Sequence, residues 1–144
     1  MAERKAKAKW QGTIKEGKGE MKFADYEGPF TWMSRFEDGK GTNPEQLIGA
    51  AHAGCFSMAF ASRLEKAGFA AEEVETEAYV TLGKIEGASR ITRIHLVTRG
   101  KVDGISEEAF ALLAEDAKLN CPISAALAAV PSITLDARLI NTLG

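Results

Sequence analysis

The most constraining feature of the sequence is a long apolar segment that opens with the signals of a helix start. Asn43 or the threonine before it can cap the helix, Pro44 suits the first helical position, and Glu45 lies near the positive end of the helix dipole. Gly68 can end the helix. The pattern therefore predicts one long helix from Pro44 to about Lys66.

The middle of this helix, residues 47–60, is apolar almost all round, and such a helix is expected to be buried on most of its sides. Two glycines inside a helix each cost about 1 kcal/mol relative to alanine, so a packing or functional reason is expected for them. Small residues let another helix or sheet approach the backbone closely, and here they are Gly49, Ala50, Ala51, Ala53 and Gly54.

Strands are predicted on both sides of the long helix. Before it, the residues predict three short strands, a break at 26–29 and a polar, glycine-rich loop at 34–41. The three strands are expected at 6–14, 20–24 and 30–33. After the helix, two long alternating runs at 74–85 and 90–99 predict a hairpin whose turn is residues 86–89.

The last third of the chain predicts a broken helix and a final strand. Ser106 can cap a helix that continues to about Leu119, and residues 120–122 interrupt it. A further helical segment is expected at 123–130 and a strand at 133–140. The sum is one α+β domain over residues 1–144.

Composition excludes several classes of function. The 144 residues are 45% hydrophobic and 26% charged, with a formal net charge of -2, and no basic face of the kind that binds nucleic acid is evident. The basic stretch at 4–9 alternates with period two, which favours a solvated strand face over a membrane or nucleic-acid arm. The longest apolar stretch, 47–61, is too short to span a bilayer, so we expect no membrane association and a cytoplasmic protein.

The chain has two cysteines, Cys55 and Cys121. The cytoplasm keeps thiols reduced, which argues against a structural disulfide. The two residues are therefore either inert buried thiols or a redox pair. A nucleophile and a resolving partner require this kind of pair, because a sulfenic acid formed on one thiol condenses with the other to give a disulfide.

The two cysteines differ in their expected environments. Cys55 lies near the middle of the most buried helix, where desolvation makes a thiol inert unless a positive charge stands nearby. Cys121 precedes Pro122, so it can lie at the start of a short helix, where backbone N–H groups favour a thiolate. For each cysteine a packed, inert thiol is the alternative.

Arg35, just before the long helix, and Glu45, in its first turn, are candidates to provide that charge. An arginine held by a carboxylate is a positioned, permanently charged donor. The alternative is that the same two residues form a surface ion pair that contributes little to stability. Glu45 and Cys55 are ten residues apart, about 15 Å along one helix, and cannot touch within it. If the pair serves Cys55, it comes from a second subunit, so we predict a two-fold dimer with interfacial sites.

His52, one turn before Cys55, is a candidate base or metal ligand. The chain has only one other histidine, His95, and no closely spaced cysteines, so a zinc site is not expected. A packed or helix-bonded histidine is favoured over a catalytic one.

The block from Arg35 to Ala59, with Asn43–Met58 as its most specific part, closely resembles the osmotically inducible protein C (OsmC) family. Cys121-Pro122-Ile123-Ser124 is similar to the second cysteine motif of that family. The resemblance extends from the strand at Trp10 to the final strand. A sister branch, named for organic hydroperoxide resistance, carries an arginine in its first hairpin. Residues 11–20 contain none, so the resemblance is to the osmotically inducible branch.

The resemblance implies an intertwined homodimer in which antiparallel sheets wrap long central helices. It also implies a thiol peroxidase that acts on organic hydroperoxides, with Cys55 as the peroxidatic cysteine and Cys121 as the resolving one. Arg35 and Glu45 match the residues that activate the peroxidatic thiol. No metal or organic cofactor is implied, and the reductant is an external dithiol, of dihydrolipoyl type in the sister branch.

The resemblance and the residues together predict that Cys55 thiolate attacks the peroxide and that Cys121 then resolves the sulfenic acid as a disulfide. Apolar residues are expected to favour organic hydroperoxides as substrates, and the candidates are Trp32, Phe56, Met58 and Phe60. Two other functions stay open: a general disulfide oxidoreductase, which the lack of a Cys-x-x-Cys motif argues against, and a protein that binds a small apolar ligand.

Overall fold

The structure is a computed structural model that describes residues 1–140. These residues form two compact units, one of residues Met1–Leu47 and one that begins at Ile48. The expectation of a single domain over residues 1–144 stays a prediction. In chain order the elements are β1 (Lys7–Gln11), β2 (Lys18–Phe23), β3 (Tyr26–Phe30), α1 (Trp32–Phe36), α2 (Pro44–Lys66), β4 (Ala71–Ile85), β5 (Ala88–Val102), α3 (Glu107–Asn120), α4 (Pro122–Ala126) and β6 (Ser132–Leu139).

The first unit contains an antiparallel sheet in the order β1-β2-β3. Gly19 of β2 pairs with Trp10 on one side and with Phe30 on the other, and the two aromatic rings meet with centroids 5.6 Å apart. A side chain at position 19 would collide with both rings. The glycine therefore lets the aromatic pair close over the centre of this sheet.

The third strand is not where the sequence pattern placed it. The prediction of a break at 26–29 and a strand at 30–33 was wrong, because β3 covers Tyr26–Phe30 and α1 starts at Trp32. Pro29 is tolerated because β3 is an edge strand. Thr31 and Ser34 form a reciprocal capping box, with Ser34 N–H donating to Thr31 Oγ1 and Thr31 N–H to Ser34 Oγ. These local hydrogen bonds outweigh the strand propensity of the segment.

The second unit contains the sheet β4-β5-β6. The predicted hairpin is confirmed, with longer strands and a turn of only two residues, Glu86 and Gly87, both at positive φ. One pairing differs from the expected antiparallel arrangement, because β6 runs parallel to β5. β6 returns only after α3 and α4, and a crossover of that length permits parallel pairing.

The predicted broken helix is confirmed as well. Ser106 caps α3 by accepting a hydrogen bond from Ala109 N–H, and α3 ends at Asn120. The segment after the break is shorter than the expected 123–130, because α4 ends at Ala126.

One face of α2 is packed into the core of the second unit. Phe56, Phe60 and Leu64 repeat every four residues and are fully buried. They belong to one apolar cluster with residues of β5, α3 and the segment between them: Ile94, Leu96, Val102, Ile105, Phe110, Ala114 and Ala117. The edge-on contact of Phe60 with Phe110, with ring centroids 4.9 Å apart, lies within this cluster.

The other face of α2 is exposed in the single chain. Ala51 and Gly54 are exposed, and Met58 keeps 80% of its surface. The helix is therefore less buried than its apolar composition predicted. A row of small and apolar residues open to water is typical of a surface that another protein chain covers.

Candidate active site

The second unit brings the two thiols together. The sulfur atoms of Cys55 and Cys121 lie 3.1 Å apart although the residues are 66 positions apart in the chain. Both thiols are free, with Cys55 half-buried on α2 and Cys121 fully buried. This separation exceeds the disulfide bond length of about 2.0 Å and is close enough for one sulfur to attack the other with little backbone movement.

Cys121 is held at the junction of two helices. Its N–H donates to Ala117 O at 2.9 Å and closes α3, while its own carbonyl accepts from Ala125 N–H at 3.0 Å and opens α4. Pro122 occupies the first position of α4, where a missing N–H costs nothing. The backbone therefore fixes this cysteine from both sides, as its position before Pro122 predicted.

The environments shift the pKa values of the two thiols in opposite directions. Burial raises the pKa of Cys55, and the hydrogen bond with Cys121 raises it further. Burial also acts to raise the pKa of Cys121, but hydrogen bonding to Cys55, to the Ser124 backbone and hydroxyl and to the Ile123 N–H outweighs it and lowers that pKa. Within this chain, the thiolate is therefore favoured on Cys121.

His52 forms a buried hydrogen bond beside the thiol pair. Its Nε2 lies 2.8 Å from Ser124 Oγ, and both residues are buried. Burial lowers the pKa of His52, which keeps the imidazole neutral. The sequence alone favoured a packed histidine, and it assigned no role to Ser124.

The first unit contains the predicted ion pair. Arg35 Nε donates to Glu45 Oε1 at 3.0 Å, and Nη2 forms an ion pair with the same oxygen at 2.9 Å. Glu45 is buried, while the Arg35 side chain is 40% exposed. The hydrogen bond and the ion pair orient the guanidinium group, whose other N–H groups can bind a further acceptor.

Asn43 fixes the geometry of this pair by joining the two helices that carry it. Its Oδ1 accepts from Gln46 N–H at 2.8 Å and caps α2, while its Nδ2 donates to Ser34 O at 2.9 Å in α1. The cap that the sequence assigned to Asn43 is confirmed, and the second hydrogen bond is a tertiary contact that no local pattern indicates.

The substitution Asn43→Ala is expected to reduce the free energy of unfolding by about 1–2 kcal/mol, because the helix loses its cap and Ser34 O loses a donor. Urea denaturation monitored by circular dichroism measures the change. Asn43→Asp is the matched control: it keeps the capping oxygen and lacks the amide donor, so a smaller loss is expected. An Asn43→Ala protein as stable as the unsubstituted one would contradict this account of the cap.

The apolar residues proposed to contact substrate have different positions. Phe56 and Phe60 are fully buried core residues, so they do not line an open pocket. The i+4 spacing that makes them prominent in the sequence is the spacing of the core-facing side of α2. Met58 is exposed, and Trp32 lies in the first unit, under the ammonium group of Lys15 at 3.2 Å.

Two further features bear on the class of the site. Residues 1–140 contain no group of three or more metal-ligating side chains that could hold an ion. No helix within this range is long and apolar enough to cross a bilayer. The described residues contain a close pair of free thiols in the second unit and a carboxylate-held arginine in the first.

Comparison with known proteins identifies the family. The family model of OsmC-like proteins matches residues 37–136. Over 139 residues, the chain is 43% identical to peroxiredoxin OsmC of Escherichia coli (strain K12), an alignment that covers 94% of this chain and 96% of that protein. The chain therefore belongs to the OsmC family, as its residues predicted.

Solved structures share the fold. An OsmC-like protein of Vibrio cholerae superimposes with a TM-score of 0.74 at 18% identity, covering 95% of this chain and 99% of the other. The organic hydroperoxide resistance protein OhrB of Bacillus subtilis gives a TM-score of 0.70 at 24% identity, covering 94% and 98%. At these identities the likeness concerns the fold alone, and it agrees with the α+β architecture described above.

Proposed function

We propose that this protein is a thiol peroxidase that reduces organic hydroperoxides to alcohols. The observation that carries the proposal is the 3.1 Å separation of the Cys55 and Cys121 sulfurs, in the only cysteine pair of the chain. The name of the Escherichia coli relative, peroxiredoxin OsmC, supports the reaction class. The OhrB name supports the choice of organic hydroperoxides.

The reaction balances in three steps. Cys55 thiolate attacks the terminal peroxide oxygen, the O–O bond breaks, and the alkoxide leaves as an alcohol after taking a proton. Cys121 sulfur then attacks the Cys55 sulfenic acid, so that a disulfide forms and hydroxide leaves as water. An external dithiol, of the dihydrolipoyl type, reduces the disulfide and is itself oxidised. These steps require no metal or organic cofactor.

The first step needs a positive charge near Cys55. None of the described hydrogen-bond partners of Cys55 carries one. Burial and the Cys121 contact raise the pKa of Cys55, and a protonated thiol is a poor nucleophile. We propose that Arg35, oriented by Glu45, supplies this charge and stabilises the negative charge that develops on the peroxide oxygens. The free guanidinium N–H groups are suited to both tasks.

Helix geometry argues that this charge comes from a second subunit. Glu45 and Cys55 belong to the same helix, ten residues apart, and a straight helix separates such positions by about 15 Å. The exposed apolar row at Ala51, Gly54 and Met58 supplies a surface for a two-fold contact. The proposed assembly is therefore a homodimer in which each site combines Cys55 of one subunit with Arg35 and Glu45 of the other.

Titration with an organic hydroperoxide, followed by intact-mass spectrometry, tests the proposal. One equivalent is expected to give a chain lighter by two hydrogens, with Cys55 joined to Cys121 in the peptide map. A chain that gains oxygen on Cys55 while Cys121 stays alkylatable would contradict the resolving role. A chain that does not react would contradict the peroxidase and favour binding of a small apolar ligand, whereas reduction of insulin disulfides without peroxide would favour a general oxidoreductase.

A further inference from the structure

A buried hydrogen bond joins His52 to the helical turn that begins at the resolving thiol. His52 Nε2 lies 2.8 Å from Ser124 Oγ, and Ser124 belongs to the first turn of α4, which Cys121 caps. Cys121 Sγ lies 3.1 Å from Cys55 Sγ, and the Ser124 hydroxyl is among the groups that lower the pKa of Cys121. His52 comes from α2 and Ser124 from the first turn of α4, 72 positions later. The proposed reaction assigns no part to either His52 or Ser124.

The direction of these hydrogen bonds follows from a count of protons. A serine hydroxyl has one proton, so Ser124 cannot donate to both His52 and Cys121. If it donates to the sulfur, its oxygen must accept from His52, and Nε2 must carry the imidazole proton. If it donates to His52 instead, the sulfur loses this donor. The protonated nitrogen of His52 therefore decides which state of Cys121 the serine stabilises.

The surroundings of His52 favour the first arrangement. The side chain is fully buried and burial lowers its pKa, so the ring is neutral and has one N–H. Nδ1 is buried without a hydrogen-bond partner among the described residues. Placing the single proton on Nε2 gives it an acceptor in Ser124, whereas a proton on Nδ1 would leave a donor buried and unused.

We propose that His52 is a positioning residue for the resolving step, in which its Nε2–H donates to Ser124 Oγ and turns the hydroxyl proton of Ser124 toward Cys121 Sγ. This inference rests on the proposed function, because it assigns Cys121 the attack on the Cys55 sulfenic acid. The groups that lower the pKa of Cys121 are then the Cys55 thiol, the backbone N–H groups of Ile123 and Ser124, and this hydroxyl. A hydroxyl held in this direction stabilises the attacking thiolate.

The arrangement predicts a pH signature for disulfide formation. Losing the hydroxyl donor raises the pKa of Cys121, and each pKa unit reduces the thiolate fraction about ten-fold below that pKa. A more basic thiolate is also a better nucleophile, with a Brønsted coefficient of about 0.4–0.5. The net effect near neutral pH is a rate about three-fold lower for each unit. At pH values above both pKa values, the variant becomes as fast as the unsubstituted protein or faster.

The experiment compares Ser124→Ala and His52→Leu with the unsubstituted protein. Rapid-quench mass spectrometry after one equivalent of organic hydroperoxide measures the conversion of Cys55 sulfenic acid into disulfide as a function of pH. Ultraviolet thiolate absorbance, measured for each substitution in a Cys55→Ser background, gives the pKa of Cys121 directly. Both variants are expected to raise this pKa and to slow resolution only near and below neutral pH.

Two further variants sharpen the test. His52→Gln keeps an N–H donor near the position of Nε2, so it is expected to recover most of the lost rate. His95→Leu is the matched control, because His95 forms the chain's other described histidine–hydroxyl hydrogen bond, with Thr134 Oγ1 at 2.6 Å, and none to a cysteine. It is expected to leave the Cys121 pKa and the resolution rate unchanged. If His52→Leu does not fold, Ser124→Ala, which removes one oxygen atom, decides the question.

Two results would overturn the inference: an unchanged Cys121 pKa in Ser124→Ala, or a resolution rate reduced by the same factor at every pH, which is what disturbed packing produces. These results differ from failure of the proposed function. In that case hydroperoxide would not oxidise Cys55 in the unsubstituted protein or in any variant. The absorbance titration uses no hydroperoxide, so it tests the role of His52 in either case.

Discussion

Replacement of Cys55 by serine is expected to reduce kcat/KM for an organic hydroperoxide on the order of a thousand-fold or more, to the rate of the uncatalysed reaction. Loss of the nucleophile in an enzyme that acts through a covalent intermediate removes nearly all of the rate enhancement. A coupled assay with dihydrolipoamide as the reductant measures the change. Because Cys55 is only half-buried, serine is expected to be accommodated with little loss of stability, which thermal denaturation checks.

Cys121→Ser is the matched substitution, and its expected effect is different in kind. The first equivalent of hydroperoxide is still consumed, because Cys55 is intact. Turnover then depends on direct reduction of the Cys55 sulfenic acid, which dimedone traps. Equal loss of the first reaction in both variants would contradict the assignment of separate roles. So would a Cys55→Ser protein that retains turnover.

The opposite roles of the two thiols contrast with their pKa shifts. Within the chain, Cys121 is the sulfur whose pKa is lowered, and Cys55 is the one whose pKa is raised. A raised pKa is unfavourable for a peroxidatic thiol at rest, and a lowered pKa is favourable for a resolving thiol. The first step therefore requires an added cation, while the second is already served by the groups around Cys121. Local sequence suggested the same asymmetry, since Cys55 is mid-helix and Cys121 precedes a proline.

Elements with strong local signals were predictable from the sequence. The cap, proline and stop around α2 and the alternation of β4 and β5 are local patterns, and the structure confirms them. The β3–α1 region was mispredicted because Thr31 and Ser34 form a capping box, an interaction between side chains and backbone that aromatic and β-branched residues obscure. The parallel pairing of β6 was also beyond local pattern, because it depends on the path of the chain through α3 and α4.

In the candidate site, too, some features were predictable from the sequence and others depend on tertiary packing. The sequence identifies Cys55 and Cys121 as its only thiols. It identifies Arg35 and Glu45 through a motif. The distance between the two sulfurs and the distance between the two charged groups depend on tertiary packing. The contact of His52 with Ser124 joins residues 72 positions apart, and neither periodicity nor spacing indicates it. The only sequence signal was the presence of Ser124 within the second cysteine motif. The sequence predicts Phe56 and Phe60 as candidate substrate contacts, whereas their i+4 spacing is that of the core-facing side of α2, and both are fully buried.

Replacement of Arg35 is expected to have the second large effect on activity. The same substitution also tests the dimer and the origin of the positive charge beside Cys55. Arg35→Met is expected to reduce kcat/KM by about 100- to 1000-fold, the usual cost of removing a group that stabilises developing negative charge. Glu45→Gln is expected to cost less, because it loosens the guanidinium without removing it. Arg99→Met is the control: Arg99 also pairs with a carboxylate, Glu77, at 2.9 Å, and it is expected to have no effect.

Hybrid dimers distinguish an interfacial site from one within a single chain. Arg35→Met and Cys55→Ser chains carrying different affinity tags are coexpressed, and dimers that contain both are isolated in two steps. If each site combines Cys55 of one subunit with Arg35 of the other, the hybrid has one intact site and one doubly substituted site. Its activity is then about half that of the unsubstituted dimer, although both parent variants are inactive.

If instead both residues of a site come from one chain, each site of the hybrid carries one lesion and the activity is lost. Failure to recover any species with both tags would contradict the dimer itself. Recovery of half the activity has no explanation within single chains, because every chain in the hybrid lacks one of the two groups. It would establish that the charge which makes Cys55 a nucleophile belongs to the other subunit.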